Sequence, residues 1–153
     1  FKFNSVRFLL FLLFLQLIIG AFVSGMDAGK MYNSWPLMGT SFFPDDSRLN
    51  EFFSIAFFDN PSIVQFLHRT LAYLILIIYL YILIVSFKST SRSIRLPIMV
   101  IGISLLIQIG LGIITLLSGV KILYASLHQI NSIFLILSTL YLLYILKYKR
   151  PVS

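Results

Sequence analysis

Two imidazoles have the widest chemical reach in this sequence. His68 and His128 are its only histidines. Each lies in a long apolar run, with Arg69 or Gln129 directly after it. An ionisable side chain inside such a run marks a functional site by default. A neutral imidazole can hydrogen-bond a neighbouring helix, or it can ligate a metal, haem iron included. Two imidazoles on facing helices can clamp one iron from both axial sides, as cofactor sites in helix bundles are built. The chain has no cysteine, so a haem here would be held non-covalently. With both axial positions filled, the iron suits electron transfer better than ligand activation. The plainer reading, a hydrogen bond from each histidine to a neighbour, is less favoured because the pair occupies matched positions of a repeat.

That repeat is legible in the spacing. Gln16 is followed four residues on by Gly20, and Gln108 four residues on by Gly112. Leu67-His68-Arg69 and Leu127-His128-Gln129 follow in the next apolar run of each half. Each half is therefore a Gln-xxx-Gly helix followed by a helix with histidine near its outer end, the kind of internal duplication common in membrane bundles. His68 lies seven residues after Pro61 and His128 seven after Lys121. At about 1.5 Å rise per residue the two sit at similar depth. Ala72 and Ser132, one turn further in, share the histidine face. These small residues and the two glycines let helices approach closely, or make room for a flat macrocycle.

The elements that must position these residues are membrane helices. Apolar residues make up 59% of the 153 residues and charged residues 11%, against about 25% charged in a soluble domain. Four runs reach the roughly 20 residues that span a bilayer: about 8–25, 63–87, 96–117 and 122–146. In lipid each must be helical to satisfy its own backbone. The fold class expected is all-α, a polytopic four-helix bundle of two repeated helix pairs, a single unit over 1–153. The first run lacks a small-residue cleavage motif and is longer than an apolar signal core. The chain begins at Phe1, which suggests a fragment of a longer one.

The net charge of +7 reads as topology rather than nucleic-acid binding. Lys2, Arg7, Lys88, Arg92, Arg95, Lys147, Lys149 and Arg150 fall on one side of the four runs. All five acids, Asp27, Asp45, Asp46, Glu51 and Asp59, lie in the loop 26–62 on the other. The positive-inside rule places both termini in the cytoplasm, or its mitochondrial equivalent, and that loop outside. A loop this long needs structure of its own. Its stretch Phe52, Phe53, Ile55, Ala56, Phe57 and Phe58 reads as a helix lying in the membrane interface. Asn60-Pro61 reads as an N-cap and first helical residue. The whole loop is either an aromatic interfacial belt or a lid over a site near the outer surface.

Other candidates are weaker. Asp27 could act as an acid or base, but a solvated carboxylate at a helix end is the simpler reading. Tyr32 and Trp35 could face a cofactor edge or sit in the aromatic belt. Arg69 could pair with a haem propionate, or anchor at the interface. No catalytic triad, phosphate loop or zinc spacing is present.

Gly25-Met26-Asp27-Ala28-Gly29, then Tyr32-Asn33-Ser34-Trp35-Pro36-Leu37-Met38, resembles the loop motif of the haem A synthase (CtaA) family. Val64-Gln65-Phe66-Leu67-His68-Arg69 with Ala72-Tyr73 resembles that family's next helix. Leu111-Gly112-Ile113-Ile114-Thr115-Leu116-Leu117 and Leu127-His128-Gln129 resemble its last two. Lys30 and Lys121 depart from the neutral residues expected there, and Leu67 from a frequent polar one. The resemblance is to the C-terminal half of a duplicated protein.

It implies that His68 and His128 are the axial ligands of a b-type haem cofactor. It also implies that the catalytic residues lie in the other half and none in this one. The whole enzyme would oxidise the methyl group of haem O to the formyl group of haem A, with water as oxygen source, for cytochrome oxidase. This chain alone would be inactive. Partners expected are haem O through the other half, the lipid bilayer, haem O synthase and a second copy of the chain, and no nucleic acid. The membrane expected is the bacterial inner membrane, with the mitochondrial inner membrane as alternative. The rival functions are a free-standing bis-histidine membrane cytochrome, which has no need of the loop motif, and a non-haem helical membrane protein.

Overall fold

The computed structural model describes residues 2–48, 59–87 and 92–148. Four helices carry the chain: α1 (Lys2–Gly25), α2 (Pro61–Phe87), α3 (Arg92–Leu117) and α4 (Ile122–Tyr148). Each is long and apolar enough to cross a membrane, and no strand occurs among the described residues. The protein is thus an all-α polytopic bundle. Helix α1 starts six residues, and α3 four residues, before its apolar run. Helical hydrogen bonding continues past the hydrocarbon edge into the charged flanks that hold Arg7, Arg92 and Arg95. The Phe-rich stretch 52–58 lies outside the described residues.

Helix α1 packs on α2 and α4, and α3 packs on α4 and α2. The two histidine-bearing helices therefore stand diagonally across the bundle. All four helices contribute to the packing at the end of the bundle that holds both termini, where Leu9, Ile82, Ile98, Ile101, Leu142 and Ile145 are buried. Tyr79 joins α2 to α3 there: its hydroxyl donates to the Ile98 carbonyl at 3.1 Å, close against Gly102, where a Cβ would collide with the ring. Towards the outer end burial becomes lopsided. From Leu106 through Phe134 no residue is buried among the described residues, whereas Ser62, Ile63, Val64 and Gln65 of α2 all are.

Local chemistry sets the helix ends. Asn60 Oδ1 accepts from the backbone N–H of Ser62 at 3.0 Å and of Ile63 at 3.3 Å, satisfying donors a helix start leaves orphaned. Pro61 follows as the first helical residue, where its missing N–H costs nothing. Pro97 lies inside α3, within two turns of its start. The α3–α4 connection is a tight turn, with Gly119 at φ 71 and Val120 at φ 61.

Candidate functional site

The same clasp is built twice. In the first helix pair Gln16 Nε2 donates to the His68 carbonyl oxygen at 3.0 Å and lies 3.3 Å from His68 Nε2. In the second, Gln108 Nε2 lies 3.3 Å from His128 Nε2, and His128 Nδ1 donates to the Gln108 carbonyl oxygen at 3.1 Å. Each ring rests on the glycine one turn beyond its glutamine. A Cβ at Gly20 would sit 3.3 Å from His68 Cε1, and one at Gly112 would sit 3.0 Å from His128 Cε1. The glycines are thus small because an imidazole edge occupies the space a methyl would take.

The two clasps bring the histidines together. Their ring centroids are 6.4 Å apart with planes at 65°, so the diagonal helices present them to each other at one level. The surroundings are not equally satisfied. His68 Nδ1, Gln16 Oε1, Gln65 Oε1 and Arg69 Nε are all buried without a hydrogen-bond partner. Residues 65, 68 and 69 share one face of α2, so three of these orphaned atoms belong to a single stripe. Among the described residues no group of three or more His, Cys, Asp or Glu could hold a bare metal ion. What the site brings together is a pair of imidazoles.

Arg69 binds the outer loop. Its guanidinium donates to the carbonyl oxygens of Ser34 at 2.9 Å, Tyr32 at 2.9 Å and Leu37 at 3.4 Å. Gln65, to which the sequence alone gives no role, donates to the Tyr32 carbonyl at 3.0 Å. Asn33 extends the tie across the bundle, donating to the Leu116 carbonyl at the end of α3 at 2.9 Å and to Gly29 at 3.1 Å. Phe42 and Phe43 pack on Phe66, with centroids 5.9 and 5.1 Å away, and Phe42 stacks on Tyr73 at 6.1 Å. The loop is therefore folded onto the outer ends of α2 and α3. A spacing of polar residues at 65 and 69, one turn apart beside the histidine, was the available signal for this second role of the α2 face.

Within the loop, residues 38–46 form a knot around two carboxylates. Gly39 has φ 76, a left-handed conformation that suits glycine, and a Cβ there would run into the Asp45 carboxylate. Asp45 accepts from the Thr40 backbone N–H at 3.0 Å, the Thr40 hydroxyl at 3.1 Å and the Ser41 hydroxyl at 2.8 Å. The Thr40 N–H, then Ser41, hold its carboxyl below the usual carboxylate range. Asp46 accepts from Ser62 at 2.7 Å at the start of α2. Partial burial pushes the Asp46 carboxyl up, but hydrogen bonds from Ser62, Tyr32 and Ser47 together bring it below its ordinary value. The Trp35–Pro36 peptide is cis, and Trp35 is exposed. Asp27 forms a 2.8 Å ion pair with Lys30, both well exposed. Ser132 donates to Gln129 of its own helix.

Comparison with known proteins gives the family. The chain is 46% identical over 138 residues to "Heme A synthase" of Pelagibacter ubique, covering 90% of this chain and 40% of that protein. It is 40% identical over 138 residues to the protein of that name from Wolbachia pipientis, covering 90% and 38%. With the one from Rickettsia felis it is 37% identical over 135 residues, covering 88% and 40%. The chain thus spans about 40% of the length of the curated relatives it matches. No solved structure matches it. A family model described as cytochrome oxidase assembly protein (COX15-CtaA) matches residues 3–140, and the chain belongs to that family.

Proposed function

We propose that this chain is the haem-binding C-terminal half of a haem A synthase in a bacterial inner membrane. Both termini are cytoplasmic, and the loop 26–62 is on the outer face. His68 and His128 are the residues that would hold one b-type haem. The observation that carries this reading is the pair of matched Gln-xxx-Gly clasps that hold the two imidazoles with ring centroids 6.4 Å apart. Two imidazoles brought this close from opposite helices of a bundle are a donor pair that haem iron would accept. The absence of buried residues from Leu106 through Phe134 among the described residues also suits a site that is completed by something besides these four helices.

Bound haem would carry electrons away from the place where the methyl group of haem O is oxidised to the formyl group of haem A, with water supplying the oxygen. The residues of this chain do the holding. Gln108 keeps the proton of His128 on Nδ1 through its carbonyl, leaving Nε2 as the lone-pair nitrogen. Gly20 and Gly112 admit the imidazole edges, and the loop fixed by Arg69, Gln65 and Asn33 covers the outer end. The oxidation itself belongs to the rest of the enzyme, so this chain alone is inactive. Arg69 Nε, buried and unpartnered, is the guanidinium nitrogen left to meet a propionate.

The test is a spectrum. The chain is purified in detergent with haem supplied, then reduced. A sharp α-band that disappears in both His68→Ala and His128→Ala is the expected result. A folded protein that stays colourless with haem present overturns the reading.

A further inference from the structure

The two clasps differ in what stands behind them. Four residues before each glutamine are Leu12 and Ser104, and three residues after each histidine are Leu71 and Asn131. The first unit thus has two buried leucines where the second has a polar pair. In the second unit Asn131 Nδ2 donates to the Ser104 carbonyl at 3.0 Å and to Gln108 Oε1 at 2.7 Å, while the Ser104 hydroxyl donates to Asn131 Oδ1 at 3.3 Å.

These contacts leave no freedom in the assignment of donors. The Ser104 carbonyl only accepts, so the Asn131 amide nitrogen faces it. That nitrogen donates to Gln108, so Gln108 turns its oxygen to Asn131 and its amide nitrogen to His128 Nε2. Nε2 must then accept, and the ring proton sits on Nδ1, which donates to the Gln108 carbonyl. In the first unit only leucines stand behind Gln16, its Oε1 is an orphan, and so is His68 Nδ1.

We propose that Asn131 is a positioning residue that holds the Gln108 amide with its nitrogen on His128 Nε2, so that the ring is gripped at both nitrogens, and that His68, with leucine in the equivalent place, is the more loosely held imidazole. A polar pair in a membrane span is expensive, and its confinement to one of two duplicated sites gives it a task beyond packing.

The experiment is 15N NMR of histidine in the full-length protein in detergent without haem, with the His128 signal identified by its loss in His128→Ala. His128 is expected as a single tautomer with the proton on Nδ1 and its Nε2 signal at the position of a hydrogen-bonded acceptor, moving towards that of a free lone-pair nitrogen in Asn131→Leu. An Nε2 signal unchanged in Asn131→Leu, or a proton on Nε2 in the unaltered protein, overturns the proposal. If Asn131→Leu does not fold, Ser104→Ala, which removes only the hydroxyl on Asn131, gives the same reading in milder form.

Discussion

The two helix pairs carry one plan with two different supports. In α1–α2, the polar residues flanking the histidine, Gln65 and Arg69, reach outward to the loop carbonyls of Tyr32, Ser34 and Leu37. In α3–α4, the corresponding positions are Ala125 and an exposed Gln129, and the polar support lies on the inner side, through Ser104 and Asn131. One imidazole is held under a loop, and the other is held from within the bundle. Duplication preserved the contact geometry of glutamine, glycine and histidine while the surroundings diverged. The glutamine amide and the glycine that meet the ring are common to both halves, and the partner of Nδ1 and the support behind the glutamine are specific to each.

The largest effect that separates the halves is expected at Arg69. Arg69→Ala leaves three loop carbonyls without their charged donor and should cost roughly 1.5–3 kcal/mol, read as a lower melting temperature in detergent and faster proteolysis within 32–38. Gln129→Ala, at the matching place in α4, should change neither. Equal sensitivity at the two positions would erase the distinction drawn between them.

Next come the glycines. Gly112→Val forces a side chain into the space of the His128 ring and should destabilise by about 1–3 kcal/mol, as overpacking does. Gly20→Val should cost less, because its Cβ would stand 3.3 Å from the ring rather than 3.0 Å. Thermal melting of the two variants in parallel tests the order.

A smaller effect belongs to the loop, which only the first pair has. The carboxyls of Asp45 and Asp46 lie below the ordinary value in the folded chain. A folded value below the unfolded one, about 3.9 for Asp, stabilises fully above the unfolded value. That stabilisation is lost as pH falls through the folded value. Fluorescence of Trp35, the only tryptophan, should therefore stay flat from neutrality to about pH 4 and change below it, and Asp45→Asn should weaken the change. A transition near pH 6 would assign the effect elsewhere. The smallest effect is at Lys30, whose ion pair with Asp27 is exposed on both sides. Lys30→Ala should move stability by less than about 0.5 kcal/mol.

Much of this was legible in the residues. Apolar run length gave the four helices, since only helices satisfy their backbone in lipid. Asn60-Pro61 gave the start of α2, because capping is a local matter. The parallel spacing of Gln16, Gly20 and His68 with Gln108, Gly112 and His128 gave the pairing of helices and the small size of the two glycines. What remained hidden was which neighbour each polar residue would meet. Ser104 and Asn131 are single polar residues in separate apolar runs, and their contact spans two helices. Arg69 shows the same limit: its charge and depth were readable, but three loop carbonyls as its partners depend on how residues 32–37 fold back. An asparagine one turn after a histidine, and a serine one turn before a glutamine, were the only traces of the relay.

The glycine seats have one further consequence, in entropy. A side chain that must be immobilised on binding gives up rotamer freedom at that moment, about 0.5–1.5 kcal/mol for each one. An imidazole lodged between a glycine backbone and a glutamine amide has surrendered that freedom during folding. Both rings are thus seated before any encounter, His128 the more firmly of the two.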